Sequence, residues 1–142
     1  MSVEIRRAGG PAELDALLDL RHRVFCVEQG VPKHEEIDGR DGDAVHLVAV
    51  RDGRVVGTCR LLFVDRTVQL SRLAVAADVR RQGIASALLR EADHEAKAAR
   101  AKRIVLHAQT YARELYAADG YEERGRTFVE AGIEHVAMEK RL

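Results

Sequence analysis

Tryptophan is missing from this chain of 142 residues, and 3 Tyr and 3 Phe make up the rest of its aromatic complement. A charge excess is missing too, because Lys+Arg and Asp+Glu both number 23. Nucleic-acid binders rely on a basic field or on an aromatic stacking platform, so no nucleic-acid partner is expected. No apolar run approaches the roughly 18–20 residues of a membrane-crossing helix. The opening "MSVEIRRAGG" lacks the basic-then-apolar order of a secretory signal. No membrane partner is expected, and a cytoplasmic location is. The 2 cysteines, Cys26 and Cys59, form neither a CxxC pair nor a disulfide framework. Both stand among apolar neighbours and read as free, buried thiols of a reducing compartment. "HEEID" and "DHEAK" combine histidine with carboxylates but lack the paired histidines of a zinc helix, so no metal is expected.

What is present is enough for one domain over residues 1–142, with a single core. "SVEIRRA" alternates like a strand. Pro11 stands at the first position of a helix, whose stripe Leu14, Leu17, Leu18, Arg21/His22, Val24 and Phe25 faces inward. Val27–Asp43 has neither period and reads as a long loop, rich in Glu28, Glu35, Glu36, Asp38, Asp41 and Asp43. Two β-rich runs flank Asp52-Gly53, the dipeptide of a type I′ hairpin turn. "TVQLSRLAV" is a further strand, and a helix from about Ile84 to Arg100 turns Ile84, Ala87, Leu88, Ala92, Ala96 and Ala99 inward. "RIVLHAQ" is a strand, "YARELYAAD" a short helix stopped by Gly120, and two last strands turn at Gly132. The order β-α-β-β-β-α-β-α-β-β is that of an α+β, or mixed α/β, domain. Strand Val68–Val75, helix Ile84–Arg100 and strand Arg103–Gln109 form a β-α-β crossover, so those two strands should run parallel.

The turn that opens the crossover helix, "VRRQGIASALL", is the chemically suggestive stretch. A helix N-terminus offers unpaired N–H groups and the positive end of the macrodipole, which suits an anion such as a phosphate. Gly83 permits close approach and a left-handed conformation. Ala85 is small, and Arg80 and Arg81 add charge. Neither G-x-x-x-x-G-K-[ST] nor G-x-G-x-x-G after a first strand is present.

Arg80-x-x-Gly83-x-Ala85 resembles the [Arg/Gln]-x-x-Gly-x-[Gly/Ala] signature of the GNAT superfamily of acyl-CoA-dependent N-acyltransferases. "AQTYARELYAADGY" is similar to that family's Asn-x-x-Ala-x-x-x-Tyr-x-x-x-Gly-[Phe/Tyr] block, with Ala112, Tyr116, Gly120 and Tyr121 in register. Gln109 stands where Asn is more usual. "RHRVFCVEQGVPKHEEIDGRDGDAVHLVA" and "EAGIEHVAMEK" resemble the ElaA-like branch.

The resemblance implies a mostly antiparallel central sheet with one parallel crossover at the cofactor site, flanked by helices. It implies that acetyl-CoA is the cosubstrate and that its pyrophosphate rests on the turn Arg80, Arg81, Gln82, Gly83, Ile84, Ala85 and Ser86. The pantetheine arm would lie along the backbone of Leu73, Ala74 and Val75, with Gln109 also at the cofactor. An amine would attack the thioester directly. The N–H of Val75 would stabilise the oxyanion, and Tyr116 would protonate the departing thiolate. Glu28, Glu36 and His107 are the candidate bases, with a bridging water as an alternative. His107 is expected in a buried setting, on a central strand. The acceptor is a small-molecule or protein amine, and the carboxylates of the long loop suggest a cationic one. Two other readings stay open: an acyl-homoserine-lactone-synthase-like acyltransferase and a non-catalytic acyl-CoA-sensing module. Monomer and homodimer are both compatible with the sequence.

Overall fold

In the computed structural model, which describes residues 2–142, the period-2 runs become seven strands of one sheet. These are β1 (Glu4–Arg7), β2 (Val45–Arg51), β3 (Arg54–Val64), β4 (Thr67–Val75), β5 (Arg103–Gln109), β6 (Glu122–Glu130) and β7 (Ile133–Arg141). Their spatial order is β1-β2-β3-β4-β5-β7-β6. All neighbours pair antiparallel except β4 and β5, which are parallel as the crossover requires. The helices are α1 (Pro11–Arg21), α2 (Lys33–Glu36), α3 (Ile84–Ala98) and α4 (Arg113–Ala118).

Local chemistry accounts for the hairpins. Asp52 and Gly53 both take positive φ, at 51° and 74°, as a type I′ turn demands. Ala131 and Gly132 do the same between β6 and β7. The crossover helix α3 buries Ile84, Leu88, Leu89, Ala92 and Ala96, but Ala99 lies outside the helix and is exposed.

The first helix departs from expectation. Leu17, Leu20, Arg21 and Val24 are buried, whereas Leu14 and His22 are exposed. Beyond Arg21 the chain widens into a π-helical stretch, His22–Glu28, in which Gln29 N–H reaches back five residues to the Val24 carbonyl. Wider turns of this kind change the phase of the helix and are frequent at functional sites. The segment read as a plain loop therefore continues the helix to Glu28. It then holds the turn α2 and a 3-10 turn at Asp41–Asp43. Cys59 is buried, but Cys26 is only half-buried, against the expectation of two buried thiols.

α1 packs on β3 and β4 on one face of the sheet, and α3 covers β1 to β5 on the other. Gly57 of β3 is where α3 comes closest. A Cβ there would stand 2.9 Å from Ile84 Cγ2 and 3.1 Å from Leu88 Cδ1, so only a hydrogen lets the N-terminus of α3 seat against the sheet.

Candidate active site at the divergence of two parallel strands

β4 and β5 pair over three positions only, Thr67–Gln69 against Arg103–Val105. Beyond them the strands separate, and the cause lies in β4. Between Ser71, opposite Arg60, and Ala74, opposite Thr58, β4 carries one residue more than β3. Arg72 absorbs the extra residue with φ 57°. A bulge of this kind bends the strand and increases its twist, which turns the end of β4 away from β5. The gap is the middle of a cleft of about 1610 Å³ lined by Leu73–Val75, Arg80, Arg81, Gly83–Ser86, His107, Gln109, Tyr116 and residues of β7.

Backbone groups at the end of β4 face this gap. Ala76 N–H donates to Val56 O of β3, and Ala74 stands two residues earlier on the same ladder. By alternation, Leu73 and Val75 present their N–H and C=O groups to the opposite side. Arg80 Nε accordingly donates to Val75 O across 3.1 Å. Of the three residues expected to supply backbone contacts, Leu73 and Val75 are aimed into the cleft, and Ala74 is engaged with β3.

The turn after β4 has the geometry of an anion cradle. Arg81 and Gly83 are left-handed, at φ 64° and 82°, and Gly83 is the N-cap of α3. No side chain caps that end, so the first amides of α3 remain available. A Cβ on Gly83 would meet nothing within 4 Å, which leaves open space in front of the amides. Arg80 is held by Glu28, with Nη2 at 2.7 and 3.1 Å from the two carboxylate oxygens. Gln82 accepts a hydrogen bond from Arg51 at 2.9 Å. Arg81 is exposed beside the turn. The residues present thus fit a diphosphate: uncapped amides, a helix dipole and adjacent guanidiniums.

Tyr116 of α4 is buried at the cleft, edge-on to Tyr121 at 6.0 Å between ring centres. Burial raises its pKa well above the ordinary tyrosine value, so the phenol keeps its proton. A phenol is already a weaker acid than a thiol, and burial widens that gap. Outright proton transfer from Tyr116 to a thiolate is therefore uphill. The group is suited first to donating a hydrogen bond to a departing sulfur. Burial likewise pushes the Cys59 thiol up to about 12, which makes it an inert packing group.

The three candidate bases occupy different surroundings. Glu28 is committed to Arg80. Glu36 is buried, 2.9 Å from both Arg21 and Arg72. His107 is not buried as expected. It lies on the open side of β5, 55% exposed, with Nδ1 3.1 Å from Glu130. Gln109, at the end of β5, donates from Nε2 to Gln29 Oε1 at 2.9 Å and so joins the sheet to the π-helical stretch.

The acidic segment carries little free charge. Arg21, Arg60 and Arg72 meet Glu36, Asp38 and Asp41 in one network, three cations against three anions. Arg60 grips Asp38 through two 2.8 Å bonds and reaches Asp41 at 3.0 Å. Arg21 bonds Asp41 at 2.8 Å. Arg72, in the bulge, donates from Nη2 to the Glu36 carbonyl at 3.0 Å. The hydrogen bonds from Arg60 hold the Asp38 carboxyl well below the usual carboxylate range. This network clamps residues 36–41 across β3 and β4 at the bulge. Sequence spacing could not reveal it, because its arginines come from α1, β3 and β4 and its carboxylates from the segment 36–41.

Sequence reasoning also missed His135. It lines the cleft from β7, opposite Gln109 in the ladder. The signal was there in "GIEHVAM": counting alternate positions from the Gly132 turn puts Ile133 and His135 on one face.

Comparison with known proteins identifies the family and supports the fold. A model of the acetyltransferase (GNAT) domain family matches residues 15–142. The chain belongs to that family. It is 32% identical to the uncharacterized N-acetyltransferase YjcF of Bacillus subtilis, over 85% of this chain and 87% of that one. Escherichia coli ElaA superimposes with a TM-score of 0.89 at 26% identity, covering 99% and 100% of the two chains. The PaiA N-acetyltransferase of Thermoplasma acidophilum, solved in complex with coenzyme A, shares the fold with a TM-score of 0.76 at 19% identity over the whole of both chains. GNAT membership makes this chain an acyltransferase of mixed α/β fold. Among the described residues no helix is long and apolar enough to cross a membrane, and no group of three or more metal-ligating side chains is gathered.

Proposed function

We propose that the protein is an N-acetyltransferase that moves an acetyl group from acetyl-CoA to a primary amine by direct attack. The observation that carries this reading is the uncapped, left-handed turn at Gly83 beside the gap where β4 leaves β5. That pairing offers amides for a diphosphate and a free strand edge for an extended arm. It is supported by the coenzyme A complex of PaiA, which has the same fold.

In this reading the amides of Arg81–Ser86 hold the diphosphate, and Arg81 supplies the guanidinium that Glu28 has not taken. Leu73 and Val75 pair with the amides of the pantetheine arm, and the Val75 N–H remains placed for the oxyanion. The amine nitrogen forms its bond to the thioester carbon and loses a proton to a base, and the carbon–sulfur bond breaks. Tyr116 donates a hydrogen bond to the leaving sulfur, which ends as the thiol once solvent restores the proton.

A cationic acceptor would be drawn by Glu35 and Glu130, the cleft carboxylates without an arginine side-chain partner among the described residues. Thiol release from acetyl-CoA over a panel of polyamines, aminoglycosides, lysine peptides and neutral or acidic amines tests the reading. Turnover with at least one amine, and N-acetylated product by mass spectrometry, is expected. Coenzyme A binding without turnover would leave a sensing module. A lactone product from S-adenosylmethionine would point to the other acyltransferase class.

A further inference from the structure

We propose that His135 is the base that takes the proton from the attacking amine, an assignment that rests on the acetyl-transfer reading above. Three observations carry it. His135 is 8% exposed, yet it lines the cleft. Its Nδ1 lies 2.7 Å from the backbone carbonyl of Ile133. A carbonyl can only accept, so Nδ1 bears the hydrogen and the lone pair is left on Nε2. The ring is also held in place: Phe128 lies against it at 20° between planes and 6.0 Å between centres.

The ladder sets what surrounds it. Gln109 and Phe128 are both opposite His135, on β5 and β6, so all three side chains share one face of the sheet. Two residues back along β5, His107 shares that face and meets Phe128 edge-on at 4.9 Å. The titratable neighbours are His107 and Glu130, bonded to each other at the rim, and Glu134, which accepts from Thr110 at 3.0 Å. None of them takes up His135. Glu28 and Glu36 are tied to arginines, His107 is bonded to Glu130, and His34 and Glu35 are exposed on α2; His135 is the cleft histidine whose tautomer is fixed by a carbonyl and whose other nitrogen is unclaimed. Proton flow then balances: the ammonium proton formed on attack passes to Nε2 and later to solvent, and the leaving sulfur, held by a hydrogen bond from Tyr116, takes its proton from solvent.

Two variants separate catalysis from folding. Asn at this position can still donate to Ile133 O from its amide, and Gln places an amide near the Nε2 position; neither can accept a proton. With the amine that gives the fastest thiol release in the panel, H135N and H135Q should lose about 100-fold or more in kcat/KM for the amine, the range expected for one general base. Their KM for acetyl-CoA should stay within about 2-fold of wild type, because the cofactor cradle is untouched. The acid limb of the wild-type pH profile should vanish in both variants. In long-range proton–nitrogen NMR spectra of the acetyl-CoA complex, His135 should show the Nδ1–H tautomer.

Variants within about 3-fold of wild type with the acid limb intact would overturn the assignment, as would an Nε2–H tautomer, and acetyl transfer would stand. Failure of the wild-type chain to acetylate any amine would remove the transfer reading itself, and His135 as its base with it.

Discussion

The two halves of the sheet are built for different tasks. β1 to β4 lie under α3 on one face, and β3 and β4 lie under α1 and the charged clamp on the other. β3 is buried over nearly its whole length as a result. Past the gap, β5, β7 and β6 extend beyond α1, and the same face carries His107, Phe128, Glu130 and His135. β6 is exposed along most of its length. One half is a closed scaffold that fixes the turn at Gly83, and the other is an open shelf along the cleft. Substitutions in the first should show up in stability, and substitutions in the second in turnover.

The largest effect belongs to Arg21→Met. Arg21 is 1% exposed and holds buried Glu36 and half-buried Asp41, so its loss leaves Glu36 with Arg72 alone and Asp41 with Arg60 alone. Breaking a buried pair from one side costs about 3–5 kcal/mol. A urea melt should shift by that amount, and a shift below about 1 kcal/mol would show that the clamp is not what closes this half.

Gly57→Val comes next. Its methyls must displace Ile84 and Leu88, and overpacking of this kind costs about 1–3 kcal/mol. Because the strain falls on the first turn of α3, coenzyme A affinity by calorimetry should weaken along with stability. Loss of stability with unchanged affinity would uncouple the scaffold from the cradle.

A smaller effect concerns acid. Asp38 has a folded pKa below its unfolded value of about 3.9, chiefly through its hydrogen bonds from Arg60. Its contribution is therefore complete above the unfolded pKa and disappears as pH falls through the folded one. Wild type should lose stability below about pH 4, and Asp38→Asn should flatten that limb while lowering stability at pH 7. An unchanged acid limb would place the acid sensitivity elsewhere.

The smallest change is expected on the shelf. His107 and Glu130 are about half exposed, and exposed pairs contribute little. His107→Ala should change the melting free energy by no more than about 0.5 kcal/mol. A larger loss would mean that the open half is also load-sharing scaffold.

Legibility in the sequence follows the same divide between local and distant causes. The Asp52-Gly53 turn, the β-α-β crossover and the turn around Gly83 are set by neighbours in the chain, and each was readable from a few residues. The π-helical widening that carries Glu28 and Gln29 to the cleft has no periodic signature, so the apolar pattern ends the helix at Phe25 and the segment after it reads as a plain loop. The burial of Arg21 and the pairing of Glu36, Asp38 and Asp41 depend on β3 and β4 arriving from elsewhere, and without them the sequence offers only a long loop rich in carboxylates that suggest a cationic acceptor. His107 was expected to be buried because β5 is central. The face it occupies is open because α1 stops at β4, which no local pattern states. His135 needed a register across three strands before its face could be known.

The most direct test is a coenzyme A titration followed in amide proton–nitrogen spectra, run on wild type and on Gly83→Val. The valine both strains a left-handed position, at about 1–2 kcal/mol, and fills the space before the helix amides. Wild type should shift most at Arg81–Ser86 and at Leu73 and Val75, and the variant should show those shifts only at much higher ligand concentration, if at all. Unmoved amides in the wild-type turn, or a valine variant that titrates like wild type, would contradict diphosphate binding at this corner.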